Sequence, residues 1–276
     1  MRLAEALVRH AWTLRRFGLS PGKLAVRVGN RGEPPILCVS LPKAGTHLLE
    51  RALCLHPRLY RRLLPTLNPD NIDRWGGLGS LSERLRAGQI LISHLHFTPE
   101  YPGLLRRANV RSVFLIRDPR DILVSLAFYV AGDPAHRLHD LFAALPDTHA
   151  RIRLGITGDA SGRLPPLRER LAAFSGWLSA SDLVVRFESL IGGTGGGDAE
   201  TQRATLVALY QAIGAVVTDA LVDRVSARLF SRASPTFRKG TTGQWRKHFT
   251  PELETLLEME AGAELRQYGY GTEPVN

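Results

Sequence analysis

No stretch of the chain approaches the roughly 20 consecutive apolar residues of a membrane span. Cysteine is scarce: Cys38 and Cys54 are the two, both inside apolar runs and without metal-ligand spacing. They read as buried thiols of a reducing compartment, with zinc a remote alternative that would need histidine partners not placed nearby. Aromatics make up 7%; zinc-finger spacing, an aromatic RNA-binding box and a continuous basic helix are missing, which argues against a nucleic-acid partner. No internal repeat is visible. Acidic residues are in deficit, 26 Asp and Glu against 36 Lys and Arg, and the net charge of +10 favours anionic ligands or surfaces.

At 276 residues with 44% hydrophobic and 22% charged content, the chain suits one α/β domain, or one with an inserted cap. Residues 1–33 read as an amphipathic helix and linker: Arg2, Arg9, Arg15 and Arg16 interleave with Leu3, Leu7, Trp12 and Leu14, without a signal-peptide hydrophobic run. Packing on its own domain is the reading the pattern favours, and membrane-surface contact is the alternative. With no leader or anchor visible, a cytoplasmic location is expected. Ser20-Pro21-Gly22 and residues 29–35 break the pattern, so the core domain is placed at 34–276.

One short stretch organises that domain. The strand-length apolar run Ile36 to Leu41 precedes Pro42-Lys43-Ala44-Gly45-Thr46-His47, and Leu48 to Leu55 reads as a helix. Strand, tight turn and helix start bring free backbone N–H groups, a glycine and a lysine to one point, which makes an anion site. The Gly-x4-Gly-Lys-Ser/Thr spacing of nucleotide phosphate loops is absent, since Lys43 precedes Gly45.

Further strands are expected at 89–94, 112–117 and 183–187, alternating with helices at 101–108, 120–130 and 167–178. This order predicts a P-loop-like three-layer α/β domain with a central parallel sheet flanked by helices. Residues 60–79, rich in Pro, Asn, Asp and Gly, read as a mobile segment on the acceptor side, followed by a short helix from Ser80 with Glu83 at capping-box spacing. Residues 132–166 read as a cap or lid. The glycine run 192–197 reads as a flexible hinge or exposed loop. Helices at 199–213, 219–230 and 251–266 complete the pattern, with an irregular basic stretch at 237–250 between the last two.

Four separated motifs together resemble the sulfotransferase family. They are the Lys43 loop; Ser93-His94-Leu95 at a strand end; Arg117-Asp118-Pro119-Arg120-Asp121 continuing to Ser125; and Arg238-Lys239-Gly240 through Gly243-Gln244-Trp245. The resemblance implies sulfuryl transfer from 3′-phosphoadenosine 5′-phosphosulfate to a hydroxyl, or an amine, without a metal. It makes His94 the catalytic base and Lys43 the cation at the leaving phosphate. It gives donor binding to Lys43, Ala44, Gly45, Thr46, His47, Arg117, Ser125, Phe187, Arg238, Lys239 and Gly240. His96 is the second-choice base. Two phosphate sites, one at the loop and one around Arg117, suit a nucleotide phosphorylated at both ends.

The sequence also departs from the family. Leu48 stands where many members carry a tryptophan on adenine, Ile92 where a lysine precedes the histidine, and Gln244 where aspartate is frequent. A P-loop kinase of a small alcohol and a non-catalytic nucleotide-binding protein remain as alternatives. The acceptor, whether small molecule, glycan or lipid-linked sugar, and the oligomeric state are not specified by these residues.

Overall fold

A computed structural model describes residues 32–230 and 241–271. The expected N-terminal amphipathic helix and Arg238, Lys239 and Gly240 lie outside the described residues. Five strands form the sheet: β1 (Ile36–Ser40), β2 (Tyr60–Arg61), β3 (Gln89–Ser93), β4 (Arg111–Ile116) and β5 (Leu183–Arg186). Their order is β2-β3-β1-β4-β5 and every pairing is parallel. β1 is buried along its whole length, and β3 and β4 beyond their first residue. Helices covering both faces of a parallel sheet require such unbroken apolar runs.

The helices are α1 (Thr46–Leu55), α2 (Gly77–Glu83), α3 (Tyr101–Arg107), α4 (Pro119–Ala131), α5 (His139–Ala143) and α6 (Thr148–Thr157), then α7 (Leu167–Ser175), α8 (Trp177–Ala180), α9 (Phe187–Leu190), α10 (Ala199–Ala212), α11 (Asp219–Leu229) and α12 (Pro251–Gln267). The expected three-layer α/β architecture is therefore present. From β1 the chain passes to the β2 edge, returns to β3, and then crosses β1 to reach β4. Strand order reverses around β1, and in such sheets ligands bind at the carboxyl ends of the strands at that reversal. Register levels Val39 with Ser93 and Ser40 with Leu115, so the residues following β3, β1 and β4 emerge side by side.

Several expectations change on contact with the fold. Residues 60–79 are ordered rather than mobile: Tyr60 and Arg61 pair with β3, Leu67 is buried and bridges to Ser93, and Asn71 bonds to Thr66 and Asn68. Tertiary pairing supplies the order that the Pro- and Gly-rich composition conceals. The helix in that region starts at Gly77 with Gly76 as its cap, so Ser80 lies inside it and no capping box forms. The single helix expected over 167–178 is divided at Gly176, a position that only glycine fits because a Cβ there would overlap the Phe97 ring. Of the two readings of Gly192–Gly197, the exposed loop fits: Gly193, Thr194 and Gly196 are exposed on a turn in which the Gly197 and Gly195 amides bond to the Gly192 carbonyl and Thr242 docks on Gly195 and Gly196. Within 132–166, α6 buries Ile152 and Ile156 in the main core, whereas Leu138, Phe142 and Leu164 join Leu126 and Val130 in a separate small cluster.

Candidate functional site

The loop after β1 is shaped by two residues in left-handed backbone, Lys43 at φ 68° and Gly45 at φ 97°. Glycine adopts that region freely, whereas a lysine there is held by its surroundings. Gly45 caps α1 and lies directly against the Phe187 ring, which leaves no room for a Cβ. The Ala44 amide bonds to the Leu41 carbonyl and the Leu48 amide to the Gly45 carbonyl. Between them, the amides of Gly45, Thr46 and His47 have no hydrogen-bond partner among the described residues. Three unpaired N–H groups at the start of a ten-residue helix are an anion cradle.

Lys43 adds the charge. Its ammonium sits 3.4 Å above the centroid of the Tyr129 ring and has no carboxylate partner among the described residues. Burial first, and the neighbouring Arg117 charge second, pull its pKa down to about 8.

His94 follows β3. Its amide bonds to the Leu67 carbonyl at 2.7 Å, and its Nδ1 donates to the Ser40 carbonyl, also at 2.7 Å. A carbonyl can only accept, so Nδ1 carries the hydrogen and Nε2 of the neutral ring holds the lone pair. Burial lowers the His94 pKa, opposed by the Ser40 bond and reinforced by the charges of His47 and Lys43. The Ser40 hydroxyl lies 2.7 Å from the Thr46 hydroxyl, so one residue ties the base candidate to the anion loop. Sequence reasoning missed Ser40; a polar residue closing an apolar strand just before the loop was the available signal.

Arg117 follows β4. Its Nη2 donates to the Thr241 carbonyl at 3.1 Å and lies 3.6 Å from Asp121, while Nη1 is 3.5 Å from the Lys43 carbonyl. The guanidinium stacks 4.3 Å from the Phe187 ring centroid. Its Nε is buried without a partner among the described residues, an unsatisfied donor beside the loop. Burial depresses its pKa, and Asp121, Glu188 and Asp118 oppose that effect.

Asp121, 2% exposed, accepts the Gly243 amide at 2.8 Å and the Trp245 amide at 2.9 Å. It thus clamps the C-terminal motif onto α4 beside Arg117. In the sequence Asp121 is only one member of the Arg117–Asp121 motif; a pairing 122 residues away leaves no local trace. Asp118 caps α4 through the Arg120 amide and pairs with Arg120, whose guanidinium covers Trp245 at 3.9 Å.

Lys43, Gly45, Thr46, His47, His94 and Arg117 therefore gather at the carboxyl ends of three adjacent strands. Ser125 shares the α4 face of Asp121 and Tyr129 at helical spacing and is half-buried. Two of the residues expected to meet the donor are buried in this structure. Ala44 is fully buried with its amide committed to Leu41, so it shapes the turn and offers nothing to a ligand. Phe187 is 4% exposed, wedged between Gly45 and Arg117. It supports the loop from behind and presents no open face for stacking. His96 is exposed and packs edge-on against Phe174. His47 pairs through Nδ1 with Glu50 at 3.2 Å, and Glu50 is also bound by Arg61 at 2.9 Å. Among the described residues, no three His, Cys, Asp or Glu side chains cluster at metal-binding distance.

No protein-family model and no curated protein sequence matches the chain. Solved structures do. A mouse sulfotransferase, SULT7A1, complexed with PAP superposes at a TM-score of 0.61 with 16% identity, over 92% of this chain and 95% of that one. Retinol dehydratase in complex with androsterone and inactive cofactor PAP gives 0.57 and 16%, over 91% and 86%. The same enzyme with retinol and PAP gives 0.56 and 16%, over 88% and 85%. The chain has the sulfotransferase fold.

Proposed function

We propose that this protein is a sulfotransferase that moves a sulfuryl group from 3′-phosphoadenosine 5′-phosphosulfate to a hydroxyl, or an amine, of a small-molecule, glycan or lipid-linked acceptor. The observation that carries the reading is the amide cradle at Gly45–His47, unpaired among the described residues, with Lys43 in its turn and the Arg117 guanidinium beside the Lys43 carbonyl. Neighbouring strands lie about 4.8 Å apart, so His94 and Arg117, flanking Lys43, span about 10 Å, the scale of one nucleotide. That the similar solved structures hold PAP supports the same ligand class.

The donor supplies an activated sulfur with a good phosphate leaving group. The loop amides hold the 5′-phosphate end, and Lys43 offsets the charge that grows on its bridging oxygen. Arg117, with Ser125 and the Arg238–Lys239–Gly240 segment, holds the 3′-phosphate. His94 Nε2 takes the proton from the acceptor, its ring fixed by the Ser40 carbonyl. Residues 60–79, whose Leu67 carbonyl touches the His94 amide, form part of the acceptor wall. We place the reaction in the cytoplasm, which the two buried cysteine thiols support.

Transfer of radiolabelled sulfate to an acceptor panel tests the activity. His94→Ala is expected to lower turnover by roughly a hundredfold or more. Tight ATP binding with indifference to a 3′-phosphate in calorimetry would instead indicate a kinase.

A further inference from the structure

Tyr129 has no role in the motifs that point to the reaction, yet its ring lies in close contact with the Lys43 ammonium. It is a large, partly exposed aromatic on α4, two helical turns beyond Asp121, with Ser125 midway on the same face. The Lys43 Nζ lies over its ring at 3.4 Å, and His136 meets the ring edge-on at a centroid distance of 5.5 Å. The His136 Nδ1 accepts the Leu138 amide, so Nε2 bears the hydrogen of its neutral ring. Among the described residues, the charged and titratable groups that reach Lys43 are Arg117 from the end of β4, His94 from the end of β3 and His136 from the segment after α4. None of these is an anion. In such a setting, the negative face of an aromatic ring is what favours the protonated amine.

We propose that Tyr129 is a positioning residue that keeps the Lys43 ammonium charged and fixed on the wall of the crevice before the donor arrives. The inference rests on the sulfuryl-transfer reading for its consequence and on the ring geometry for its substance. A cation seated in advance needs no reorganisation as charge develops on the leaving oxygen. The tyrosine hydroxyl is not needed for this, so phenylalanine serves in its place.

The chain contains four lysines, Lys23, Lys43, Lys239 and Lys247, which suits reductive ¹³C-methylation followed by NMR. Lys43→Arg assigns the Lys43 signal. In the ligand-free protein that signal is expected upfield of the other three through the ring current. Tyr129→Leu removes the displacement and lowers the Lys43 pKa by about 0.5 to 1 unit, while Tyr129→Phe retains both. In unmethylated enzyme, the alkaline limb of kcat/KM moves to lower pH by the same amount in Tyr129→Leu and stays in place in Tyr129→Phe. A Lys43 signal without upfield displacement in the wild-type protein overturns the inference, as does an unchanged Lys43 titration in Tyr129→Leu. A stacked, normally responding Lys43 in a protein that fails to bind adenosine 3′,5′-bisphosphate upholds the contact and rejects the nucleotide reading instead.

Discussion

Replacing Asp121 by asparagine tests whether the C-terminal motif is part of the site or merely passes it. The carboxylate receives two backbone N–H groups, from Gly243 and Trp245, and faces Arg117 at 3.6 Å. Asparagine keeps the volume and one carbonyl oxygen, so one amide stays bonded while the other meets an NH2 group. A hydrogen bond to a charged group contributes about 1.5–3 kcal/mol. With the partial loss of the Arg117 partner, the docked arrangement weakens by about 2–4 kcal/mol. If half of that loss falls on the nucleotide-bound state, affinity for adenosine 3′,5′-bisphosphate drops about tenfold, since 1.4 kcal/mol is one decade. Calorimetry reads the affinity, and hydrogen exchange reads undocking as faster exchange of the Gly243 and Trp245 amides. The β1 amides serve as the internal control for the intact sheet. Affinity within twofold of wild type, together with unchanged exchange at those two amides, would refute the reasoning.

Gly45→Val combines a left-handed φ of 97° with a side chain driven into Phe187. It is expected to abolish nucleotide binding in calorimetry while circular dichroism shows the sheet retained. The kcat/KM profile should be bell-shaped: it rises as His94 loses its proton below 6.5, where burial holds its pKa, and falls as Lys43 deprotonates at about 8. A profile flat between pH 7 and 9.5 would remove Lys43 from the role of cation. Stability should decline as pH falls below 6.5, because burial lowers the native pKa of His56 and His94 and the unfolded chain takes up those protons first. A urea midpoint equal at pH 7.5 and 5.5 would contradict this.

The parallel sheet was legible because its central strands are apolar without alternation and each ends on a chemistry-bearing residue. Lys43 stood out from the strand–turn–helix pattern, His94 and Arg117 through the resemblance of their motifs, and sheet order then places the three side by side. The 60–79 segment was misread because the two-residue strand at Tyr60–Arg61 and the Leu67 bridge are made by β3, not by local pattern. Phe187 was assigned from its position after β5. Its burial against Gly45 depends on α9 beginning at that residue, which no propensity marks. Asp121 and Tyr129 act across 122 and 86 residues of sequence. Their spacing on α4 looks like ordinary helix periodicity until the partners arrive.

Two clusters of charge in this domain illustrate how an anion site differs from a structural ion pair. Glu50, with no exposed surface, is held by Arg61 and His47, and its carboxylate pKa is lowered despite burial. That cluster is closed: the buried anion has cationic partners and leaves nothing for a ligand. Around Arg117 the carboxylates are shared: Asp121 lies 3.6 Å away but also accepts two amides, Glu188 takes the Asp118 amide and the Tyr270 hydroxyl, and Asp118 pairs with Arg120. Arg117 keeps an unsatisfied Nε, Lys43 rests on a ring, and three amides at the loop stay open. Burying cations without full compensation costs free energy, which an anion bound at these donors would return. The Gly45–His47 loop and Arg117 therefore differ from the Glu50 cluster in keeping donors to spare, and that difference separates a candidate anion site from a closed structural ion pair.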